Sequence, residues 1–481
     1  MNAAILIFTM LAAGADLGTL AKALRARDPA VREEAVRELG RVPGRPSLRL
    51  LVEALGDEEP SVRDSAEALI RERRAVEDLE LLRTVGLDHR CPVARRVVLA
   101  VVADSGAGFA PEAVERALLD PDPGVRESAA RHVFKVSGIR GIPMLAAAAL
   151  RGREGRPRAA ALAELDRLAD EEARALALRL LDDPEMEPRS AAVAVLGRAP
   201  GDAALPVLSR ALADPSWSVR VAVYSVLARR REPSAVPVLI RALGGERGRL
   251  RDEAGAALSA ITGVGLPPDP RAWAEWWERE KDRFTPPPEP ARAAAGEDAS
   301  AASFHSIPVR SECMAFLLDR SGSMRDALAR GDPITKAALV EQELAMTFGR
   351  LEPPARFHLI AFSGGAESFT PRPVVASPAA RKAALDWFED RPVRGPTNLF
   401  AALALALSCE DVDTLFVLTD GAPSAGEYRT QASILAAVAD LNRWRRAAIH
   451  TVEVGHEATG RRWEKFLPKL AAANGGIHVR R

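Results

Sequence analysis

Hydrophobic and polar positions follow two different patterns along the 481-residue chain. Over residues 16–284, apolar positions recur at helical spacing, as in the stretch VREEAVRELG that begins at Val31. From residue 304 onward, short apolar runs alternate with amphipathic stretches, which is typical of an α/β domain with a mainly parallel sheet. The pattern predicts a multidomain chain in which an all-α part precedes a doubly wound α/β domain.

A short motif repeats along the all-α part: DPAVREEA at Asp28, EPSVRDSA at Glu59 and DPGVRESA at Asp122. An acidic residue suits the N-cap of a helix and proline suits its first position, so each motif predicts the start of a helix. The arginine of the motif returns every 31 or 32 residues, at Arg32, Arg63, Arg95, Arg126, Arg158, Arg189, Arg220 and Arg251. A fixed period in this range predicts a solenoid of about eight two-helix repeats.

The repeated arginines suggest two roles. Five of them have an acid four residues earlier, the spacing of an ion pair on one helix face. We expect the arginines to pair with acids of the turns and to tie one repeat to the next, rather than to form a stripe for phosphate groups. The five acids are Asp28, Glu59, Asp122, Glu154 and Glu185.

These repeats resemble the short bacterial HEAT-like repeats, through the motif and its period. The resemblance implies a surface that binds other proteins, although a few relatives are lyases or DNA-repair enzymes. After the last repeat comes the Trp-rich stretch RAWAEWWEREKDRF, which begins at Arg271. We expect it to cover the open end of the solenoid, as terminal repeats must.

Two further segments complete the domain organisation. Residues 1–15 are apolar from Ala3 onward and end in Ala13-Gly14-Ala15, a small-residue cleavage pattern that predicts a signal peptide. The alternative is an apolar first helix that caps the array. Residues 285–303 are rich in Pro and Ala and predict a semi-rigid, extended linker. The predicted parts are residues 1–15, 16–284, 285–303 and 304–481.

The α/β domain carries oxygen donors where its predicted strands end. The strand Cys313–Leu318 runs directly into an aspartate and two serines, and the strand Thr414–Leu418 runs into a second aspartate. Ligands of parallel sheets bind at the carboxyl ends of strands. Five oxygen donors without Cys or His suit a hard divalent cation, Mg²⁺ first, with Mn²⁺ and Ca²⁺ as alternatives. The five residues are Asp319, Ser321, Ser323, Thr397 and Asp420.

From about residue 310 to its end, the chain resembles the von Willebrand factor type A family. The DxSxS motif of that family's metal-ion-dependent adhesion site falls on Asp319, Ser321 and Ser323. Its threonine falls on Thr397 and its second aspartate on Asp420. The resemblance implies that the hydroxyls hold the metal and that the aspartates act directly or through water. A free metal position would then take a carboxylate of a partner. The alternative is a degenerate site that no longer binds metal.

Other residues near the motif allow more than one interpretation. Arg320 is not a ligand in the family; it could meet an acidic partner, and we expect it to be exposed. Cys313 begins the first strand of the domain and Cys409 precedes the strand at Thr414. In the fold that the resemblance implies, these strands are neighbours. The two cysteines could form a disulfide in an exported protein, but two buried thiols are the favoured interpretation.

Charge and motifs exclude several classes of function. Lys and Arg total 66, as do Asp and Glu, so no basic excess indicates a nucleic-acid partner. The sequence contains no Walker loop and no GxSxG, GxGxxG or HExxH motif. The apolar N-terminal run is too short to span a bilayer, and we expect no integral membrane segment.

We therefore expect a non-enzymatic scaffold or tether that binds protein partners through the solenoid and through an acidic side chain at the metal. It is periplasmic or extracellular if the signal peptide is present, and cytoplasmic otherwise. One alternative is a cytoplasmic regulatory adaptor of an ATPase partner, a role that some relatives of the α/β domain have. Another is an enzyme, either a HEAT-like lyase or a metal-dependent one. The motif loops offer no His, Lys or Cys that could act as a base beside a metal.

Overall fold

The computed structural model describes residues 16–73, 75–199, 204–288, 302–328, 333–428, 430–455 and 465–481. The chain forms two compact units, which are divided in sequence between Val195 and Leu196. This division falls inside the predicted repeat array. The predicted signal peptide and most of the predicted linker lie outside the described residues.

The all-α part consists of helix pairs, as the repeat period predicts. In every pair the motif arginine is the fourth residue of the second helix, so the eight arginines mark eight equivalent positions. The pairs are α1 Leu17–Ala23 and α2 Pro29–Arg41; α3 Arg45–Ala54 and α4 Pro60–Arg71; α5 Val76–Leu81 and α6 Pro92–Asp104; α7 Ala110–Ala117 and α8 Pro123–Ser137; α9 Ile142–Leu150 and α10 Gly155–Leu168; α11 Asp170–Leu180 and α12 Met186–Leu196; α13 Leu205–Ala211 and α14 Trp217–Arg230; α15 Val236–Gly245 and α16 Gly248–Thr262.

The motif arginines tie one repeat to the next, as predicted, but through a different acid. Arg32 donates two hydrogen bonds to Asp57 in the following turn, both of 2.9 Å. Its remaining nitrogen donates to the carbonyl of Ala26 at 2.9 Å, in the turn before its own helix. The acid four residues earlier, Asp28, instead accepts a bond from the N–H of Ala30. Asp28 has extended backbone angles because it is the N-cap, so the spacing rule for two residues within one helix does not apply to it.

The same arrangement recurs in other repeats. Arg95 reaches Asp120, Arg158 reaches Asp183 and Arg220 reaches Glu246. Each of these arginines also donates to a carbonyl in the turn before its own helix. A planar guanidinium with five N–H donors can satisfy a carboxylate and carbonyls together, which lysine cannot do. These four arginines are therefore structural cross-links, and the contacts occupy the donors that a phosphate group would need.

One 28-residue run, Pro123–Leu150, is long and apolar enough in length and composition to cross a membrane. In the structure the run is two helices, α8 and α9, which are separated at Gly138, where φ is 51°. Both helices pack against α10, and their apolar residues Val133 and Leu145 are buried. The run therefore packs one side into the repeat core, while its most apolar 18-residue window is 22% buried.

A further helix, α17 Pro270–Glu280, follows the last pair and packs against α15. Its Trp273 is completely buried, while Trp276 and Trp277 form a cluster with Phe284. The Trp-rich stretch thus packs on the last repeat, as predicted for a terminal helix.

The α/β domain is built on one mixed sheet, with the strands in the order β5-β4-β3-β7-β8-β9. The central pairs are parallel, and β5 and β6 run antiparallel to β4. The strands of this sheet are β3 Cys313–Asp319, β4 Arg356–Phe362, β5 Ala366–Ser368, β6 Val374–Val375, β7 Thr414–Thr419, β8 Ala448–Glu453 and β9 His478–Arg480. The predicted α/β class is confirmed.

Helices cover both faces of the sheet because alternate strand residues point to opposite sides. Phe316 packs on one face with α18 and α19, and Leu317 packs on the other with α20, α21 and α22. A hairpin of β1 Ser303–Phe304 and β2 Ile307–Pro308 adds the buried ring of Phe304 to the first face. The helices are α18 Lys336–Arg350, α19 Pro378–Glu389, α20 Leu399–Ser408, α21 Gln431–Asn442 and α22 Phe466–Ala473.

Within the second unit, the last repeats contact the edge of the sheet where its parallel strands begin. Arg249 at the start of α16 donates to the carbonyl of Asp413 at 2.6 Å and to that of Arg446 at 2.7 Å. The indole N–H of Trp217 donates to the carbonyl of Glu410 at 2.9 Å, and Arg249 lies over its ring. The acceptors of these bonds are backbone carbonyls. The contacts therefore depend on the position of the strands and not on the side chains of the accepting residues.

Removing the buried ion pair between Arg158 and Asp183 tests the cross-link between repeats. Arg158→Ala leaves a buried carboxylate unpaired, and we expect the free energy of unfolding to fall by about 3–5 kcal/mol. Chemical denaturation followed by circular dichroism measures it. The control is Arg116→Ala, because its pair with Asp88 is exposed and should contribute about 0–1 kcal/mol. Equal effects of the two substitutions would contradict the structural role.

Replacing Arg249 tests the contact between the last repeats and the sheet. Arg249→Met removes both donors but keeps a long apolar side chain, so we expect faster hydrogen exchange of amides near Asp413 and Arg446 in the full chain. Mass spectrometry of peptic fragments measures this exchange. Arg247→Met, at an exposed neighbouring position, should leave it unchanged. An identical exchange pattern in both variants would mean that the contact is not formed in solution.

Candidate metal centre

The two predicted metal-binding aspartates lie at the same edge of the sheet because their strands are neighbours. In the parallel pair of β3 and β7, Leu318 lies opposite Leu418. The two strands therefore end side by side at the same edge of the sheet. Asp319 and Asp420, at 0% and 2% exposure, are withdrawn from water. The pairing of the two strands therefore brings two carboxylates into one buried region.

The loop that contains Thr397 is held against the other two loops by backbone contacts. The N–H of Gly322 donates to the carbonyl of Gly395 at 2.9 Å. The N–H of Thr397 donates to the Ser424 hydroxyl at 2.9 Å, and the N–H of Ser424 donates back to the Thr397 carbonyl at 2.9 Å. All five predicted residues therefore lie on three loops that are bonded to one another.

Asp319 is held by its neighbours in a fixed orientation. The N–H of Ser321 donates to Oδ1 at 2.7 Å, and the hydroxyl of Thr419 donates to Oδ2 at 2.5 Å. Burial raises the pKa of Asp319 to about 6, against the opposing effect of these two hydrogen bonds. The charged form is therefore poorly solvated, and a nearby cation would stabilise it.

Three oxygen atoms form a chain across the first and third loops. The hydroxyl oxygens of Ser321 and Ser323 lie 3.3 Å apart, and the Ser323 hydroxyl donates to Oδ1 of Asp420 at 2.8 Å. Two ligands at adjacent corners of an Mg²⁺ octahedron lie about 2.9 Å apart, given metal–oxygen bonds of 2.0–2.1 Å. The spacing and the hard oxygen chemistry of these groups fit a small divalent cation.

One residue of this site was missed by the sequence interpretation. The ammonium of Lys336, the first residue of α18, donates to Oδ2 of Asp420 at 2.7 Å. Both side chains are buried, with 6% and 0% of their surfaces exposed. The sequence shows Lys336 at the start of the helix that follows the motif. Its local pattern does not indicate that its side chain points toward the site.

The prediction that Arg320 is exposed is wrong. Arg320 has 4% of its surface exposed, pairs with Glu341 and donates to the carbonyl of Arg391 at 3.0 Å. Its guanidinium also lies over the ring of Phe388, 4.6 Å from the ring centre. The Arg320 side chain points away from the motif and contacts α18 and α19. It therefore holds these helices against the loop, and its charge is not presented to a partner.

The two cysteines of the predicted disulfide are free thiols in this structure. Burial raises the pKa of the Cys313 thiol to about 12 and also raises that of Cys409. The sulfur of Cys409 lies 3.8 Å from Nε2 of His358. The arrangement agrees with the favoured interpretation of two thiols, and the disulfide stays a prediction.

Comparison with known families identifies both parts of the chain. Residues 314–479 match the von Willebrand factor type A domain. Residues 17–103 and 205–273 match HEAT repeats, and residues 112–129 match a HEAT repeat associated with sister chromatid cohesion.

Individual relatives share only parts of the chain. The von Willebrand factor A domain-containing protein 3A of Homo sapiens is 29% identical over 160 residues, which are 33% of this chain and 12% of that protein. The chain therefore spans about an eighth of the length of this curated relative.

Solved structures resemble each part at low identity. A von Willebrand factor type A protein from Catenulispora acidiphila is 22% identical, with a TM-score of 0.29. The match covers 35% of this chain and 38% of that protein's chain. Human deoxyhypusine hydroxylase in complex with glycerol is 18% identical, with a TM-score of 0.23. The match covers 53% of this chain and 99% of the hydroxylase chain. Neither similarity bears on function.

Proposed function

Since the chain contains HEAT repeats followed by a von Willebrand factor type A domain, we propose that it is a non-enzymatic scaffold that binds protein partners through both parts. In this proposal the second domain holds a divalent cation, Mg²⁺ in preference to Mn²⁺ or Ca²⁺. The bound cation supplies a position that accepts the carboxylate of a partner's Asp or Glu. The single observation that carries the proposal is the chain of oxygens from Ser321 through Ser323 to Asp420 at the end of two buried strands.

The residues that would hold the cation are those of the three bonded loops. Ser321, Ser323 and Thr397 offer hydroxyl oxygens, which leave the charge of a cation largely unneutralised. Asp319 and Asp420 offer the only carboxylates among these five residues, and they can act directly or through water. A cation with few charged ligands keeps a net positive charge, and this charge attracts the carboxylate of a partner.

A non-enzymatic role is supported by the chemistry of the loops. Residues 319–326, 395–398 and 420–425 contain no His, Lys or Cys. Lys336, which reaches the site from α18, is already bonded to Asp420. Catalysis at a metal usually needs a positioned base or nucleophile beside it. The one further carboxylate of these described loops, Asp326, is exposed.

The first unit offers a surface for partners. A cavity of about 560 Å³ lies between α7 and α9 and is lined by apolar residues such as Leu118, Met144 and Ala148. Leu119, which also lines this cavity, is 69% exposed. HEAT repeats are protein-interaction modules, and exposed apolar surface of this kind agrees with that role.

Metal titration of the full chain tests the proposed function. We expect saturable binding of Mg²⁺ and Mn²⁺ to protein freed of metal with EDTA, and its loss when Asp319→Ala is combined with Ser321→Ala. Isothermal titration calorimetry measures binding, and circular dichroism checks that the variant is folded. Partners captured by the parent chain in Mg²⁺ should be released by EDTA and should not be captured by the variant.

The matched control is Ser408→Ala, which removes an exposed hydroxyl at the far end of α20 and should leave metal binding unchanged. Absence of binding in the parent chain would show that the site is degenerate and would leave the HEAT repeats as the recognition surface. Partners that stay bound in EDTA would show that recognition does not use the metal.

We further propose that the protein acts outside the cytoplasm, in the periplasm or beyond. This rests on the apolar segment before Asp16 and on the capping of the first helix by Asp16 itself, so that cleavage after residue 15 leaves α1 intact. Intact mass measurement of the protein from its native source should give a chain that begins at Asp16. A chain that retains Met1 would favour a cytoplasmic adaptor instead.

A further inference from the structure

The ion pair between Lys336 and Asp420 lies inside the candidate metal centre. Asp420 uses its two carboxylate oxygens differently: Oδ1 accepts from the Ser323 hydroxyl at 2.8 Å, and Oδ2 accepts from the Lys336 ammonium at 2.7 Å. Both oxygens are therefore engaged by groups of the chain itself. A divalent cation that binds Asp420 has to share or displace one of these two donors.

The position of Lys336 in its helix is electrostatically unfavourable. It is the first residue of α18, and a positive charge near a helix N-terminus is destabilised by the helix dipole. The helix is instead capped by the Thr335 hydroxyl, which accepts from the N–H of Ala338. A buried lysine at such a position is stable only if a carboxylate compensates it, so the bond to Asp420 has to outweigh both burial and the dipole.

The surrounding backbone leaves room for the lysine side chain. Gly455 follows strand β8 and has a φ of 89°, and a Cβ atom there would lie 2.8 Å from Cε of Lys336. The N–H of Lys336 donates to the carbonyl of Asp326 at 3.0 Å, which connects the start of α18 to the end of the serine loop. The lysine therefore follows a defined path to Asp420, between Gly455 and the loop.

We propose that Lys336 is a resident counter-ion of the metal centre, which neutralises Asp420 when no metal is bound and weakens divalent binding when metal is present. This inference rests on the proposed function, because it concerns the same cation. With Lys336 the site carries one positive and two negative groups, and without it the two carboxylates stand alone. The lysine thus compensates the charge of Asp420 in the metal-free protein, and it lowers the affinity of the site for the cation.

The substitution Lys336→Met tests this role in the full chain. It removes the ammonium and keeps an unbranched apolar side chain of similar length. We expect the affinity for Mn²⁺ and Mg²⁺ to rise at least tenfold by calorimetry, because a buried carboxylate without a cationic partner attracts a metal ion more strongly. In EDTA the variant should unfold at a lower temperature than the parent, and saturating Mn²⁺ should raise its midpoint more than that of the parent.

Two controls separate the effect of this charge from a general effect of losing a lysine. Lys336→Arg keeps a positive charge at the position, so the affinity should stay nearer that of the parent than that of Lys336→Met. Lys382→Met removes an exposed lysine that pairs with Asp386 at 2.7 Å on α19, and it should change neither the affinity nor the midpoint.

The possible outcomes distinguish this inference from the proposed function. Equal or weaker metal binding by Lys336→Met, with normal binding by the parent, overturns the counter-ion role and leaves the proposed function intact. Binding by Lys336→Met but not by the parent supports the counter-ion role and overturns a metal-dependent function of the natural chain. Absence of binding in both proteins overturns both proposals.

Discussion

The central constraint on the second domain is that two neighbouring parallel strands end in carboxylates. Because β3 and β7 pair directly, Asp319 and Asp420 are brought close together in a region that water hardly reaches. Like charges in a poorly solvated region raise each other's energy, so surrounding groups must compensate them. The Thr419 hydroxyl, the N–H of Ser321 and the Lys336 ammonium all serve this purpose. The arrangement of the loops is thus largely a consequence of where the strands end.

The same physical rule organises the repeats. A buried charge is tolerated when the donors of its group have acceptors. Arg32, Arg95, Arg158 and Arg220 find them in a carboxylate of the next turn and in carbonyls of their own turn. Arg32 illustrates it with bonds to Asp57 and Ala26. Since the carboxylate and the carbonyls belong to successive turns, each of these four guanidinium groups joins two neighbouring repeats. The period in the sequence therefore corresponds to a recurring charged contact as well as to apolar packing.

Most of the fold could be predicted from the sequence because its determinants are local and periodic. The predicted strands Cys313–Leu318 and Thr414–Leu418 are each observed with one further residue at their ends, and the repeat period gives all eight helix pairs. The candidate site could be assembled because its oxygens follow strand ends. What could not be predicted depends on contacts between residues distant in the chain.

Three particular errors share this cause. The acid partner of Arg32 lies 25 residues later rather than four residues earlier, since the nearer acid caps the helix. Arg320 is next to the motif in sequence, but its side chain turns into the helices instead of toward solvent. Lys336 looks like an ordinary first residue of an amphipathic helix until the neighbouring strand places Asp420 beside it. In each case local spacing was informative about backbone structure and uninformative about the direction of a long charged side chain.

The bonds from Arg249 and Trp217 to the sheet also determine how a mechanical force would travel through the second unit. They join the last repeats to backbone carbonyls at the edge of the sheet opposite the carboxylates. A pull on these repeats would reach the sheet directly through the contacts of α14 and α16. The strands would then carry the load along their length, from the edge that the repeats hold to the edge where Asp319 and Asp420 lie.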